Sequence, residues 1–413
     1  MKLNRKTLII SFFLIAVLVV SAFSINELLT DVYERNYKLL AQQAFDKAFS
    51  VVEQIRNVTL PHVDLEVVTR QWAIDTWGKG YAPDMQKILR DENIYKGLFM
   101  ITESTSLYSA NVDWAGYFGA ASWNGKIYIV QENFDPSKEP DTEATFVHEL
   151  THIMQSQFTR PSTSTFDSDK AWTALIEGDA SYMGDFFINQ TKGSDNDVEP
   201  FAIEEVPAFL IENSMLNELH LGLPQSISYL NYFPYDYGKI FVNALYQKGG
   251  WEAVNQAYSN PPNTTEQILY PDKYFAGESS QQVAAPALAD KDWTKISENT
   301  YGEYFIQVML VTWLSKTEAE TAAAGWNGDT LTYYERGNDF LFTWNIKWDS
   351  SFDASDFYVA FQNMVNATGA EEDDSCHWFA NGRYLMIEWN QNTNATLIAC
   401  SNNQTVTLPS YFS

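Results

Sequence analysis

Nineteen consecutive uncharged residues, Thr7 to Ile25, follow Lys2, Arg5 and Lys6 at the start of the chain. A run of that length crosses the roughly 30 Å apolar core of a bilayer as a helix. The flanking charges place the N-terminus inside and the chain from residue 26 outside. The predicted form is therefore a single-pass membrane protein whose bulk lies outside the cytoplasm. Val20-Ser21-Ala22 offers a small-residue cleavage site, so secretion after Ala22 is the alternative. From Asn26 to Arg56 apolar residues recur at helical spacing with no Gly or Pro, which predicts a stalk helix within residues 26–60.

Beyond Pro61, alternation over Val63–Val67 predicts a strand, and Thr69–Trp77 a helix. Asn124-Gly125 marks a tight hairpin turn leading into a strand at Lys126–Val130. Helical spacing returns from Asp141, over Asp169–Phe187, through Phe201–Leu219 and from Tyr237 to Tyr258. A polar stretch near 277–300 precedes a helix at about 304–324, strands around 330–347 and a helix around 354–366. Cys376–Ala380, an Asn381-Gly382 turn, Arg383–Trp389 and Ala395–Cys400 read as a β-meander. The division is thus a membrane segment (1–25), the stalk (26–60), a main domain (61–275) and a C-terminal accessory region (276–413). The fold class is α+β.

Composition narrows the function. With 26 Lys and Arg against 53 Asp and Glu, the formal charge is −27, which repels phosphate backbones and excludes nucleic acid as a partner. The two cysteines, Cys376 and Cys400, flank the meander, and an oxidising exterior predicts one disulfide between them. Six Asn-x-Thr sequons (Asn57, Asn189, Asn263, Asn366, Asn394, Asn403) decide little, since about four arise by chance.

The chemistry concentrates at His148-Glu149-Leu150-Thr151-His152, an HExxH sequence on a helical apolar stripe. Positions i and i+4 share one helix face, so both imidazoles reach one metal while Glu149 faces the water beside it. Catalytic zinc needs a third protein ligand and one open position. Glu177, 25 residues after His152 in Leu-Ile-Glu-Gly-Asp-Ala, sits among apolar residues on the next predicted helix and completes a His₂Glu set; Gly178 permits close helix packing. His62 and His377 have no supporting context. Asp179 is a candidate to accept a hydrogen bond from a ligand histidine, with Asp185 its rival.

His148, His152 and downstream Glu177 resemble the gluzincin metallopeptidases, the thermolysin and aminopeptidase type of zincin. Over residues 60–370 the runs HELTHIMQSQF, LIEGDASY, GGWEAVNQAYSNPPNTTEQILYP, AAAGWNGDTLTYYE and WDSSFDASDF are similar to a largely uncharacterised family of prokaryotic membrane-anchored or secreted metallopeptidases. The resemblance implies a zincin-like catalytic domain, a small sheet with active-site helices, holding one catalytic Zn²⁺. It implies that Tyr235, in Tyr235-Asp236-Tyr237-Gly238, hydrogen-bonds the oxyanion, with Tyr237 and His220 as rivals. The exopeptidase GAMEN-type motif is absent, which favours cleavage within chains. The strand Lys126–Gln131 resembles the edge strand on which zincins pair an extended peptide.

The expected function is zinc-dependent hydrolysis of peptide bonds in extracytoplasmic proteins, with a zinc-activated water and Glu149 as general base. A second class is an envelope interaction or structural protein that keeps a zincin fold without hydrolysis. Glu149 argues against that, because a structural zinc has no use for a base.

Overall fold

The computed structural model describes residues 5–80, 83–162, 164–191, 223–288, 290–374 and 376–403, with side chains from Leu28 onward, Asp374 excepted. The first element, α1 (Arg5–Arg56), is one continuous helix, as the absence of Gly and Pro allows. Among the described residues no helix is long and apolar enough to cross a membrane. The Thr7–Ile25 run belongs to the part of α1 whose side chains lie outside the described residues, as do the segment 201–219 and His220 altogether.

Only part of α1 stands clear as a stalk. Residues 28–36 are exposed, but Tyr37, Ala41, Ala44, Phe45, Ala48 and Val52, spaced three and four apart, are buried in an apolar cluster. Strand β1 (Asp64–Val68), the short helix α2 (Arg70–Ala73) with a π turn to Gly78, α3 (Met85–Gly97) and α4 (Leu107–Ala115) follow. A hairpin of β2 (Ala120–Trp123) and β3 (Lys126–Val130) then completes a three-stranded sheet in the order β1-β3-β2. Strand β3, expected at the edge, is therefore central: β1 pairs parallel to it along its other side. The edge strands are β1 and β2.

Helix α5 (Asp141–Gln155) carries HExxH and packs between this sheet and α1, where Phe45 meets Phe146 edge-on at 5.7 Å. Two long helices, α6 (Phe166–Thr191) and α7 (Gln225–Ser259, broken at Gly249-Gly250), cross behind it. After α8 (Thr265–Leu269), α9 (Pro271–Ala276), β4 (Thr294–Asn299), α10 (Gly302–Val311) and α11 (Lys316–Ala323) come β5 (Trp326–Arg336), β6 (Asp339–Trp348) and α12 (Ser351–Ala367). Strand β7 (Glu371–Asp374) is an unexpected addition before β8 (His377–Ala380), β9 (Arg383–Asn390) and β10 (Ala395–Ser401), which form the expected meander. All join one antiparallel seven-stranded sheet, β4-β5-β6-β10-β9-β8-β7.

A single apolar cluster runs from Ile94 through α6 and α7 to Cys400, across position 275. Asp329 stitches the sheet to the helices: its buried carboxylate accepts from the backbone N–H groups of Tyr301 and Gly302 and from the indole N–H groups of Trp326 and Trp344, at 2.9–3.0 Å. The aromatic WNGD segment is thus a structural fastening.

The expected disulfide is absent; Cys376 and Cys400 are both free. Strand β9 lies between them, for Cys400 pairs with Leu385 and the Cys376 carbonyl accepts from Ile387 N–H. Two interstrand steps of about 4.8 Å exceed the roughly 7 Å that a disulfide spans between Cα atoms. The Cys376 Sγ instead accepts a hydrogen bond from Gln362 and shares one with the Tyr358 hydroxyl, while Cys400 is buried beside Gly97 and Phe342.

Beside this junction Glu303 is wholly buried; Oε1 accepts from Tyr270 and Gln307, and Oε2 has no partner. Burial, with Glu266 close by, pushes its carboxyl up to about 8. The unfolded chain ionises near 4, so the contribution to stability is complete below that and is lost as pH rises through 8. In metal-free protein the thermal midpoint of wild type should fall more steeply between pH 5 and pH 8 than that of Glu303→Gln. Parallel profiles would show that Glu303 is ionised in the fold.

Candidate metal centre

Helices α5 and α6 bring the three expected ligands together. His148 Nε2 lies 3.1 Å from His152 Nε2, and Glu177 Oε2 is 3.3 Å from each. Among the described residues no other group of three or more His, Cys, Asp or Glu side chains meets the geometry for holding an ion. A tetrahedral zinc with bonds of about 2.0–2.1 Å has donor-to-donor edges of about 3.3–3.4 Å, so the triangle has the size of one face of that tetrahedron. Glu177 Oε2 is buried without a hydrogen-bond partner, which an ion at the triangle's centre would supply. The donor set fits zinc.

The electrostatics agree. Burial alone would lower the His152 pKa, but the Glu177 carboxylate outweighs it and holds the imidazole up at about 9. Burial would likewise raise Glu177, yet His152 and His148 hold it well below the usual carboxylate range. The pocket thus favours a positive charge among these three side chains.

The arrangement rests on a close crossing of α6 and α7. A Cβ on Gly178 would lie 2.2 Å from the Gly238 carbonyl, and one on Gly238 would lie 2.1 Å from the Ala174 oxygen. With backbones in contact, Tyr235 on α7 reaches the ligands of α6 and α5. Its ring stacks over His148 with centroids 6.2 Å apart and planes 16° apart. Burial, then the Glu177 and Glu149 carboxylates, push its phenol well above 10, so the hydroxyl stays protonated and able to donate.

The rivals go elsewhere. Tyr237 packs into the core against Phe233 and Tyr304, His220 lies outside the described residues, and Asp185 pairs with Lys239 at 2.8 Å. Asp179 does not accept from a ligand histidine as expected. His152 Nδ1 is 2.7 Å from Gln155 Oε1, and Asp179 is wholly buried one layer further out, paired with Arg56.

Sequence reasoning missed Gln155, although its place three residues after His152 puts it on the same helix face. It missed Lys170 too. Pro234, inside α7, cannot donate to the Leu230 carbonyl four residues back; Lys170 Nζ donates to that oxygen at 2.7 Å. Burial, only partly offset by the neighbouring Asp169 carboxylate, lowers the Lys170 pKa to about 8.

Glu149 is buried at the wall of a cleft of about 1120 Å³. Trp114, Phe118 and Tyr232 line one side, and Tyr33, Tyr37 and Leu40 of α1 another. The Asn124-Gly125 turn pairs Trp123 with Lys126, and Val130 N–H donates to Gly119 O. By antiparallel alternation, Ala120 and Ser122 of β2 therefore turn their backbone groups outward.

A family described as a domain of unknown function (DUF8575) matches residues 291–408. That segment contains the seven-stranded sheet and none of the metal-centre residues. No curated protein and no solved structure matches the chain.

Gly238→Ala should force α6 and α7 apart, at a cost of about 1–3 kcal/mol for overpacking, read as a lowered thermal midpoint. An unchanged midpoint would mean that the crossing has slack.

Proposed function

We propose that this protein is a zinc-dependent endopeptidase with a zincin-like catalytic unit, acting on proteins outside the cytoplasm from a membrane anchor at its N-terminus. The observation that carries the reading is the His148–His152–Glu177 triangle of zinc dimensions with Glu149 alongside, in an open cleft.

When bound, zinc supplies Lewis acidity, polarising the scissile carbonyl and lowering the pKa of a water. Glu149 accepts the proton of the attacking water and delivers it to the leaving amine. The Tyr235 hydroxyl, protonated at all working pH, donates to the oxygen that gains charge in the transition state. The outward backbone groups of Ala120 and Ser122 hold an extended peptide as an added strand, a mode that demands little of its sequence. The aromatic walls seat side chains and exclude water. No structure for recognising a free terminal amine is required, which suits cleavage within chains.

The deciding experiment uses the full-length chain: zinc by elemental analysis, and cleavage of casein by wild type and Glu149→Gln. One zinc per chain is expected in both proteins, with activity reduced roughly 10²- to 10⁴-fold in the variant. Zinc without cleavage in wild type would favour a non-catalytic envelope protein on the same fold. No zinc would overturn the reading.

A further inference from the structure

A buried hydrogen-bond chain connects the metal centre to the end of α1, its donors converging on Asp179 from both sides. Gln155 Nε2 lies 2.9 Å from the Ile176 carbonyl oxygen. That oxygen only accepts, so the amide nitrogen of Gln155 must face it and Oε1 must face His152. Being an acceptor, Oε1 requires a proton on His152 Nδ1 at 2.7 Å. The lone pair is then left on Nε2, the atom in the metal triangle.

The amide is held by more than one bond. Gln155 Nε2 also donates to the Tyr258 hydroxyl at 3.0 Å, which donates to Asp179 Oδ2 at 2.6 Å. Arg56 Nη1 donates to Asp179 Oδ1 at 2.6 Å, with both side chains wholly buried. The guanidinium is fixed by Asn255 Oδ1 at 2.7 Å and by the Trp251 ring 4.4 Å beneath it. Arg56 only donates and Asp179, as a carboxylate, only accepts, so no link can reverse without losing a bond.

We propose that Gln155 is the positioning residue that sets the tautomer and aim of His152, and that Arg56 at the end of α1 holds Gln155 in place through Asp179 and Tyr258. The inference rests on the zinc reading above. It makes the last turn of α1 a supporting part of the metal centre, although that turn contributes no ligand.

The test measures the zinc affinity of metal-free, full-length protein by competition with a chromophoric chelator. Gln155→Leu, which keeps the bulk and removes the acceptor, should weaken zinc binding roughly 10- to 100-fold, the usual range for losing a partner of a ligand histidine. Gln155→Glu, which restores an acceptor toward Nδ1, should recover part of that loss. Tyr258→Phe and Arg56→Met should each weaken zinc by a smaller factor. In ¹⁵N imidazole spectra of the metal-free protein recorded above the pH of about 9 at which His152 becomes neutral, the ring should carry its proton on Nδ1 in wild type and lose that preference in Gln155→Leu.

Wild-type affinity in Gln155→Leu would overturn the role of Gln155. Wild-type affinity in both Tyr258→Phe and Arg56→Met would overturn the link to α1; Tyr258→Phe alone decides it if Arg56→Met does not fold. Absence of zinc binding in wild type would instead defeat the underlying reading.

Discussion

Two helix backbones touch where Gly178 meets Gly238, and the approach of Tyr235 on α7 to the ligand-bearing helix α6 depends on that contact. A side chain at either glycine would have to share space with a carbonyl of the opposing helix. The contact brings Tyr235 beside a metal triangle whose three corners come from α5 and α6. Closeness also imposes a cost, since Pro234 one residue before Tyr235 breaks the hydrogen-bond ladder of α7. A proline in a helix interior costs about 3 kcal/mol. Lys170 restores one partner by donating to the stranded Leu230 oxygen. Burying an amine for this purpose is unfavourable, as its lowered pKa records, so the local geometry is maintained against its intrinsic preference.

What was legible in the sequence follows from the range of each signal. HExxH specifies its own geometry because four residues make one turn of helix, and Glu177 stood out as a carboxylate among Leu175, Ile176 and Ala180. The hairpin at Asn124-Gly125, the helix over 141–155 and the C-terminal meander are likewise local patterns. The expectations that failed needed knowledge of what lies alongside. Strand β3 reads as a self-contained apolar strand, and only the parallel pairing of β1 some 60 residues earlier makes it central. Cys376 and Cys400 flank one meander, but the strand between them keeps them apart. Helix α1 reads as a stalk because its buried stripe is built largely of alanine and aromatic residues, and only α5 and the small sheet reveal what that stripe covers.

Asp179 shows the limit most clearly. A carboxylate two residues from a ligand was the natural choice to orient a histidine, yet a helix turns positions two apart to different faces. Glu177 faces the triangle while Asp179 faces Arg56. The layer next to the metal is completed by Gln155, an uncharged residue with no motif to announce it.

The Arg56–Asp179 pair is best understood through specificity. Removing two charges from water costs about as much as their attraction returns, so a buried ion pair contributes little net stability relative to a well-packed apolar pair. What an apolar pair lacks is direction. Arg56 can only donate and the Asp179 carboxylate can only accept, and this polarity passes through Tyr258 and Gln155 to a single nitrogen of His152. In a chain with twice as many acidic as basic residues, a buried arginine compensating a buried aspartate leaves the interior locally neutral. The positive charge an ion brings is then matched chiefly by Glu177, the one carboxylate in the triangle.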